Sequence, residues 1–332
     1  MGSLFLLAAM DLASAPLFES EEPLQAELRG PFKSLLADEG RNWQVFQLTS
    51  GEHSHAVRLR PGGKSRRKVC KFFPLRMNLT VDPGSESATT ASVFPDWELL
   101  RVVTHCNESP RSQDNVIEEY IAYRIMNLLT EFSYRVRLMQ INYVDTESVG
   151  RSLSRYAFAI EPEQELARRV GGKVLSINGL PKRRLNEEQA AYVYIFQYLI
   201  ANTDWSLVTA DGADQCCHNG QLIDFDSEIF YIPYDFDLSG LVNPHYASPD
   251  PSLRIERVTQ RLYRGYCGPP AALEKPLARI TAQREAILEL YRQTPGLSNK
   301  ERNKGIKFLE GFFRKAQNPE KLLSKFGYRC IK

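Results

Sequence analysis

Asn202-Thr203-Asp204-Trp205, then His218-Asn219, then Tyr234-Asp235-Phe236-Asp237: three short clusters of acids and amides follow one apolar segment, and their order governs how the rest of the chain is read. Two strand-like runs, 221–224 and 229–233, lie between the last two clusters. This order suits metal-assisted phosphate chemistry. In such chemistry one carboxylate steers an acceptor hydroxyl, while an amide oxygen and a second carboxylate hold magnesium against the phosphates. Asp204, Asn219 and Asp235 are the candidates for those roles. Taken singly, each cluster has a plainer reading. Asp204 would close a turn through its own backbone, Asn219-Gly220 is a turn dipeptide, and the acids of 234–237 fit an edge strand or a calcium site.

The apolar segment before Asp204 has a helix-start signal at Asn186 and is rich enough in apolar residues to run through a core to Ile200. Its tyrosines, Tyr192, Tyr194 and Tyr198, are better explained by packing than by base stacking. Further helices are expected over 253–264, 271–292 and 300–315, with Gly and Pro at the breaks. Upstream, 24–104 reads mainly as strands, at 24–29, 43–48, 55–60, 68–80 and 99–104, with a loop over 81–95. A helix over 115–130 carries Ile117, Ile121, Ile125 and Leu128 at helical spacing, and two more strands follow at 136–144 and 154–160.

The chain has 332 residues, 43% hydrophobic and 25% charged, ample for a large core and for roughly two domains. Its net charge is only +2, so composition provides no electrostatic reason to expect nucleic acid or an acidic membrane as partner. The basic residues between Arg58 and Arg76 form one cationic stretch, whose plainest reading is a solvated strand face. No apolar run is long enough to span a bilayer. Residues 1–15 imitate a secretory signal, with an apolar run and Ala13-Ser14-Ala15 as a cleavage-like site, although Asp11 departs from the pattern. The chain is accordingly expected to be exported if that segment acts as a signal, and cytoplasmic otherwise. The even number of cysteines would allow disulfides after export, with Cys70–Cys106 the preferred pair because both sit at ends of strand-like runs. Cys216-Cys217 lacks zinc spacing and reads as buried or bridged.

Asn202-Thr203-Asp204, His218-Asn219 and the 232–238 segment Ile-Pro-Tyr-Asp-Phe-Asp-Leu resemble the corresponding segments of CotH-type kinases, an atypical bacterial family named for a spore-coat protein. The Arg60-Pro61-Gly62-Gly63-Lys64-Ser65-Arg66 segment is similar to that family's Arg-Gly-x-Ser-x-Arg turn, which replaces the usual glycine-rich phosphate loop; here a proline interrupts it. The resemblance is closer still to a group of bacterial proteins sharing the Phe73-Pro74-Leu75-Arg76 and Thr104-His105-Cys106 segments, to which it attaches no activity.

The resemblance implies an α+β, two-lobed protein-kinase-like fold, with a strand-rich N-lobe over 16–161 and a helical C-lobe over 162–332. It implies ATP and magnesium as cofactors and a protein hydroxyl as acceptor. Asp204 would be the catalytic carboxylate, Asn219 and Asp235 the magnesium ligands, and Asp237 a supporting or alternate ligand. Arg60 and Arg66 would face the triphosphate, and Arg76, with Lys71 as the rival, would reach the nucleotide while Glu118 or Glu119 holds it. The 156–161 segment, ending at Glu161, would line the adenine pocket with backbone groups. Two departures bear on activity. The interval from Ser206 to His218 is longer than kinase catalytic loops have, an insertion placed to displace Asn219, and Arg76 stands where a lysine is usual. The alternative is an exported, non-catalytic binding or assembly protein.

Overall fold

The computed structural model describes residues 16–80, 93–95, 97–148, 150–208 and 216–332; the signal-like segment 1–15 and most of the 81–95 loop lie outside them. Ten strands and nine α-helices follow in chain order among the described residues. The first part comprises β1 (Leu24–Gly30), α1 (Phe32–Ala37), β2 (Gln44–Ser50), β3 (His53–Pro61), α2 (Arg66–Val69), β4 (Leu75–Asn78) and β5 (Leu100–Val103). Next come α3 (Pro110–Leu129), β6 (Val136–Asp145), β7 (Ser152–Ile160), α4 (Glu163–Arg169) and β8 (Lys173–Leu175). The remainder is α5 (Glu187–Ile200), β9 (Gly220–Phe225), β10 (Glu228–Pro233), α6 (Ala271–Ala282), α7 (Arg284–Gln293), α8 (Asn299–Ala316) and α9 (Pro319–Arg329).

The expected two-lobed protein-kinase-like fold is overturned by the way the first seven strands pair. They close into a barrel in the order β1-β2-β3-β4-β5-β7-β6. Closure comes from β1, which pairs antiparallel with β2 and parallel with β6, Leu24 opposite Met139 through Gly30 opposite Asp145. Alternation along each strand identifies its inward face but not which distant strand will cover its free edge. Here β6 does so, and closure removes the unpaired edges an open sheet would leave. Leu28, Leu48, Leu59, Met77, Leu100, Met139, Ile141 and Ala159 are fully buried and fill the interior. A barrel of this size is packed by side chains and is not a pore.

α3 lies against the barrel and joins it to the second core. Ser109 caps its start by accepting from the Ser112 amide, and Pro110 occupies the first turn, where its missing N–H costs nothing. Ile117, Ile121 and Ile125 are fully buried with Phe158 of β7 and with Val193, Phe196 and Leu199 of α5 in one apolar cluster. α5 begins as expected, Asn186 accepting from the Gln189 amide, and ends at Ala201 in the left-handed region at φ 53°.

Other expectations need correction. The run 68–80 is no single strand: α2, a bend and the four residues of β4 share it, because Lys71 and Phe72 give their amides to the Cys106 carbonyl and so leave the sheet direction. Residues 253–264 are irregular, pinned by Arg261 to the Leu199 and Phe308 carbonyls and by Arg264 to the Thr203 and Trp205 carbonyls. The 271–292 helix breaks at Gln283 into α6 and α7. α9 was not expected, although Asn318 caps it and Pro319 opens it, a readable start signal. Among the described residues no helix is long and apolar enough to cross a membrane.

Candidate phosphate-chemistry site

α5 delivers the first cluster. Past Ala201, the Asn202 side chain accepts from the Asp204 amide at 3.0 Å, and the Trp205 indole donates to the Asn202 carbonyl at 3.1 Å. This turn holds Asp204 at the helix end. The Asp204 carboxylate is engaged on both oxygens: His218 Nε2 lies 2.7 Å from Oδ1, and Asn219 Nδ2 donates to Oδ2 at 2.9 Å and to the Asp204 carbonyl at 2.8 Å. The feared displacement of Asn219 by the 206–218 insertion therefore does not occur. The Ser206 amide donates to the His218 carbonyl at 3.1 Å and returns the chain to Asp204.

The β9–β10 hairpin brings the third cluster to the second. Gly220 pairs with Pro233, so Asn219 before β9 and Tyr234-Asp235 after β10 emerge at the same end, and the Tyr234 amide donates to the Asn219 carbonyl at 3.0 Å. Glycine suits position 220, because a Cβ would come within 2.0 Å of the Tyr231 ring, whose hydroxyl is held on the His218 carbonyl. Asn219 and Asp235 both adopt left-handed backbone, at φ 51° and 61°, a conformation that Asn and Asp tolerate better than other residues with side chains.

α3 supplies the opposite wall. Glu119 and Tyr123, one turn apart, share a face: the Asp235 amide donates to the Tyr123 hydroxyl at 2.9 Å, and Glu119 accepts from the Phe236 amide. Phe236 is fully buried, its ring 4.6 Å from Tyr123 and 5.2 Å from Phe196, so the acids on either side of it are set by a rigid anchor. Asp237 accepts from the Tyr246 hydroxyl at 3.0 Å.

The expected cation–acid pairing is corrected. Neither Arg76 nor Lys71 meets Glu118 or Glu119. Arg66 pairs with Glu119 at 3.8 Å and donates to the Thr104 carbonyl at 2.6 Å, both side chains being buried. Glu118 faces away and pairs with Arg111 at 2.7 Å. Arg76 and Arg101 sit with Arg66, Glu119, Tyr234 and Asp235 around a cavity of about 100 Å³. Arg60 lies opposite Arg76 in the β3–β4 register and stacks on Trp43 at 4.5 Å. Lys71 is elsewhere, on a separate cavity beside His105. Glu161 is held by Arg169 at 2.9 Å and by the Arg135 amide, so its carboxylate is committed to the fold. Arg101 was missed by sequence reasoning, and only its place in the basic N-terminal half hinted at it.

Electrostatics follow from this crowding. Lost hydration and then the facing Asp237 carboxyl push Asp235 up to about 7, with Arg66 opposing, although Asp235 keeps an exposed outer face that softens the effect. Burial, with Asp237 and Asp235 adding, raises Glu119 well above the carboxylate range, and burial raises Asp237 against the pull of Arg66. Burial would drive the proton off Arg66, but Tyr246, Glu119, Asp237 and Asp235 outweigh it and raise its pKa. Arg76 is lowered by burial and then by the like charge of Arg101.

Acids that hold one another's protons are short of positive charge, and hard oxygens in such a pair suit magnesium, which takes one or two carboxylates and fills its shell with phosphate and water. Asp235 and Asp237, with the Asn219 amide oxygen left over from its contacts to Asp204, fit that demand. Among the described residues no three His, Cys, Asp or Glu side chains form a complete metal cage, so the remaining ligands would have to come from a bound phosphate and solvent.

Comparison with protein-family models and with curated proteins finds no match. Among solved structures, the Helicobacter pylori proinflammatory kinase CtkA is similar at 10% sequence identity and a TM-score of 0.40, over 81% of this chain and 93% of that one. A likeness this loose assigns neither a fold nor an activity to the chain.

Proposed function

We propose that the protein is an ATP- and magnesium-dependent phosphotransferase acting on a protein hydroxyl. The observation that carries the reading is the contact of Asn219 with Asp204 at the hairpin end that also presents Asp235 and Asp237. Asp204 would accept the proton of the acceptor hydroxyl, with His218 and Asn219 fixing its carboxylate. Asn219, Asp235 and Asp237 would hold the magnesium, which supplies charge neutralisation at the phosphates. Arg66 and Arg76 would face the phosphate oxygens, Arg66 being kept in place by Glu119. The resemblance to CotH-type kinases supports the choice of acceptor.

A second reading is favoured by two observations. Cys70–Cys106 and Cys267–Cys330 close as disulfides, and paired cysteines belong to oxidising compartments, where ATP is scarce. The cavity beside Asp235 is also smaller than the roughly 300 Å³ at which ligand pockets begin. The first fits an exported protein and the second a site with room for a phosphate group rather than a whole nucleotide, as in a protein that binds a phosphate-bearing ligand without transferring it. The test is incubation with γ-labelled ATP, magnesium and casein, alongside the protein alone. Magnesium-dependent label on a hydroxyl residue, absent in Asp204→Ala, supports the transferase; nucleotide binding with no label on either acceptor supports the binding protein.

A further inference from the structure

A cavity of about 870 Å³, distinct from the acid cluster, opens at the end of the barrel covered by α1. Phe32, Phe72 and Tyr143 form its aromatic wall, with the Phe32 and Tyr143 rings 5.6 Å apart and those of Phe72 and Tyr143 5.0 Å apart. His105 forms part of the lining. Its ring stacks on Phe72 at 4.4 Å, it is fully buried, and neither ring nitrogen has a hydrogen-bond partner. The buried Tyr143 hydroxyl beside it is also unpartnered. Burial, then the charges of Arg155 and Arg66, push the imidazole down to about 3, so it stays neutral and offers one donor and one acceptor.

Buried polar groups without partners are costly, and several lining one roomy cavity beside stacked aromatic rings mark a place where something polar is received. Lys33 and Lys71 stand exposed on the rim, while the acids there are already engaged: Glu108 pairs with Arg151 at 2.7 Å, and Asp145 accepts from the Lys33 and Glu147 amides. The Cys70–Cys106 disulfide, with the Lys71 and Phe72 amides both on the Cys106 carbonyl, fixes Lys71 and Phe72 against His105.

We propose that this cavity is a binding site for a flat aromatic carboxylate. The ring lies over the outer edges of Phe32, Phe72 and Tyr143, the carboxylate faces Lys33 and Lys71, and a shift of the aromatic rings that now seal them lets a polar substituent meet the unpartnered groups of His105 and Tyr143. The site accounts for Lys71 and His105, neither of which the phosphate-chemistry site uses.

Calorimetric titration of the full chain with salicylate tests the assignment, with benzamide and cyclohexanecarboxylate as probes lacking the charge and the ring. Saturable one-to-one binding of salicylate is expected, with both other probes weaker by about tenfold or more, each tenfold being about 1.4 kcal/mol. The exposed double variant Lys33→Ala/Lys71→Ala, and separately His105→Phe, should each weaken salicylate by a similar factor. Absence of saturable salicylate binding overturns the proposal. So does equal binding of cyclohexanecarboxylate, or affinity unchanged in the lysine double variant.

Discussion

Asn219 donates from its amide to both the Oδ2 and the carbonyl oxygen of Asp204, at 2.9 and 2.8 Å, and so couples the end of α5 to the start of the β9–β10 hairpin. The Asp204 carboxylate and the Asn219 amide are thereby one rigid unit, which in the proposed function joins the acceptor side to the metal side. Asp204→Ala is expected to leave nucleotide affinity near that of the parent and to reduce transfer by about 10²–10⁴-fold, the usual worth of a positioned general base. Single-turnover transfer measured beside equilibrium nucleotide binding checks this, and a parallel loss of both would assign Asp204 to the fold.

The Arg66–Glu119 pair makes a prediction about stability. Both side chains are buried and burial already raises the Glu119 carboxyl well above its ordinary range, so Arg66→Met removes a buried polar partner rather than a full counter-charge and should cost about 1–3 kcal/mol in denaturant unfolding. Arg66→Met/Glu119→Leu should recover most of the loss. A double variant no more stable than the single one would remove the pairing argument.

pH dependence follows from the raised carboxyls. A carboxyl whose proton is held more tightly in the folded chain contributes stability that is complete below its unfolded value and is lost as pH rises through the folded one. Without divalent cations, melting temperature should therefore fall between pH 4 and about 7 through Asp235, and on to about 8 through Glu118, which burial raises against Arg111. Asp235→Asn should flatten the lower part of that slope. Water at the exposed face of Asp235 limits its share to below about 1 kcal/mol.

His105→Phe is expected to stabilise the ligand-free chain by about 1 kcal/mol, because it exchanges a buried ring with two unpartnered nitrogens for an apolar ring on the same Phe72 stack. Chemical denaturation of the two proteins decides it. A destabilised variant would mean that the imidazole has a partner in solution.

The elements that rest on local signals are legible in the sequence. Asn186 announced α5 by its capping chemistry, the 234–237 acids were placed after a strand, and Cys70 was paired with Cys106 from their positions at strand-like ends. What escaped depends on contacts between distant segments. Nothing local in 24–30 states that it will lie parallel to 139–145, so barrel closure was invisible and a two-lobed fold was expected instead. Arg66 was seen as a phosphate ligand but not as the partner of Glu119, because 68–80 read as one strand and thus put Arg76 and Lys71 forward. The 253–264 segment has enough apolar residues for a helix. The buried carbonyl contacts of Arg261 and Arg264 hold it in another path.

Whether Asp235 belongs to a magnesium–nucleotide site is decided by thermal unfolding with and without Mg-ATP. A ligand that binds only the folded chain must raise its melting temperature, by the equivalent of about 2.7 kcal/mol at a hundredfold excess over Kd. The wild-type chain should show this shift only when magnesium is present, and Asp235→Ala should melt near the unliganded wild type and show none. A wild-type melting temperature indifferent to Mg-ATP, or an Asp235→Ala chain that responds as fully as the wild type, would contradict that assignment.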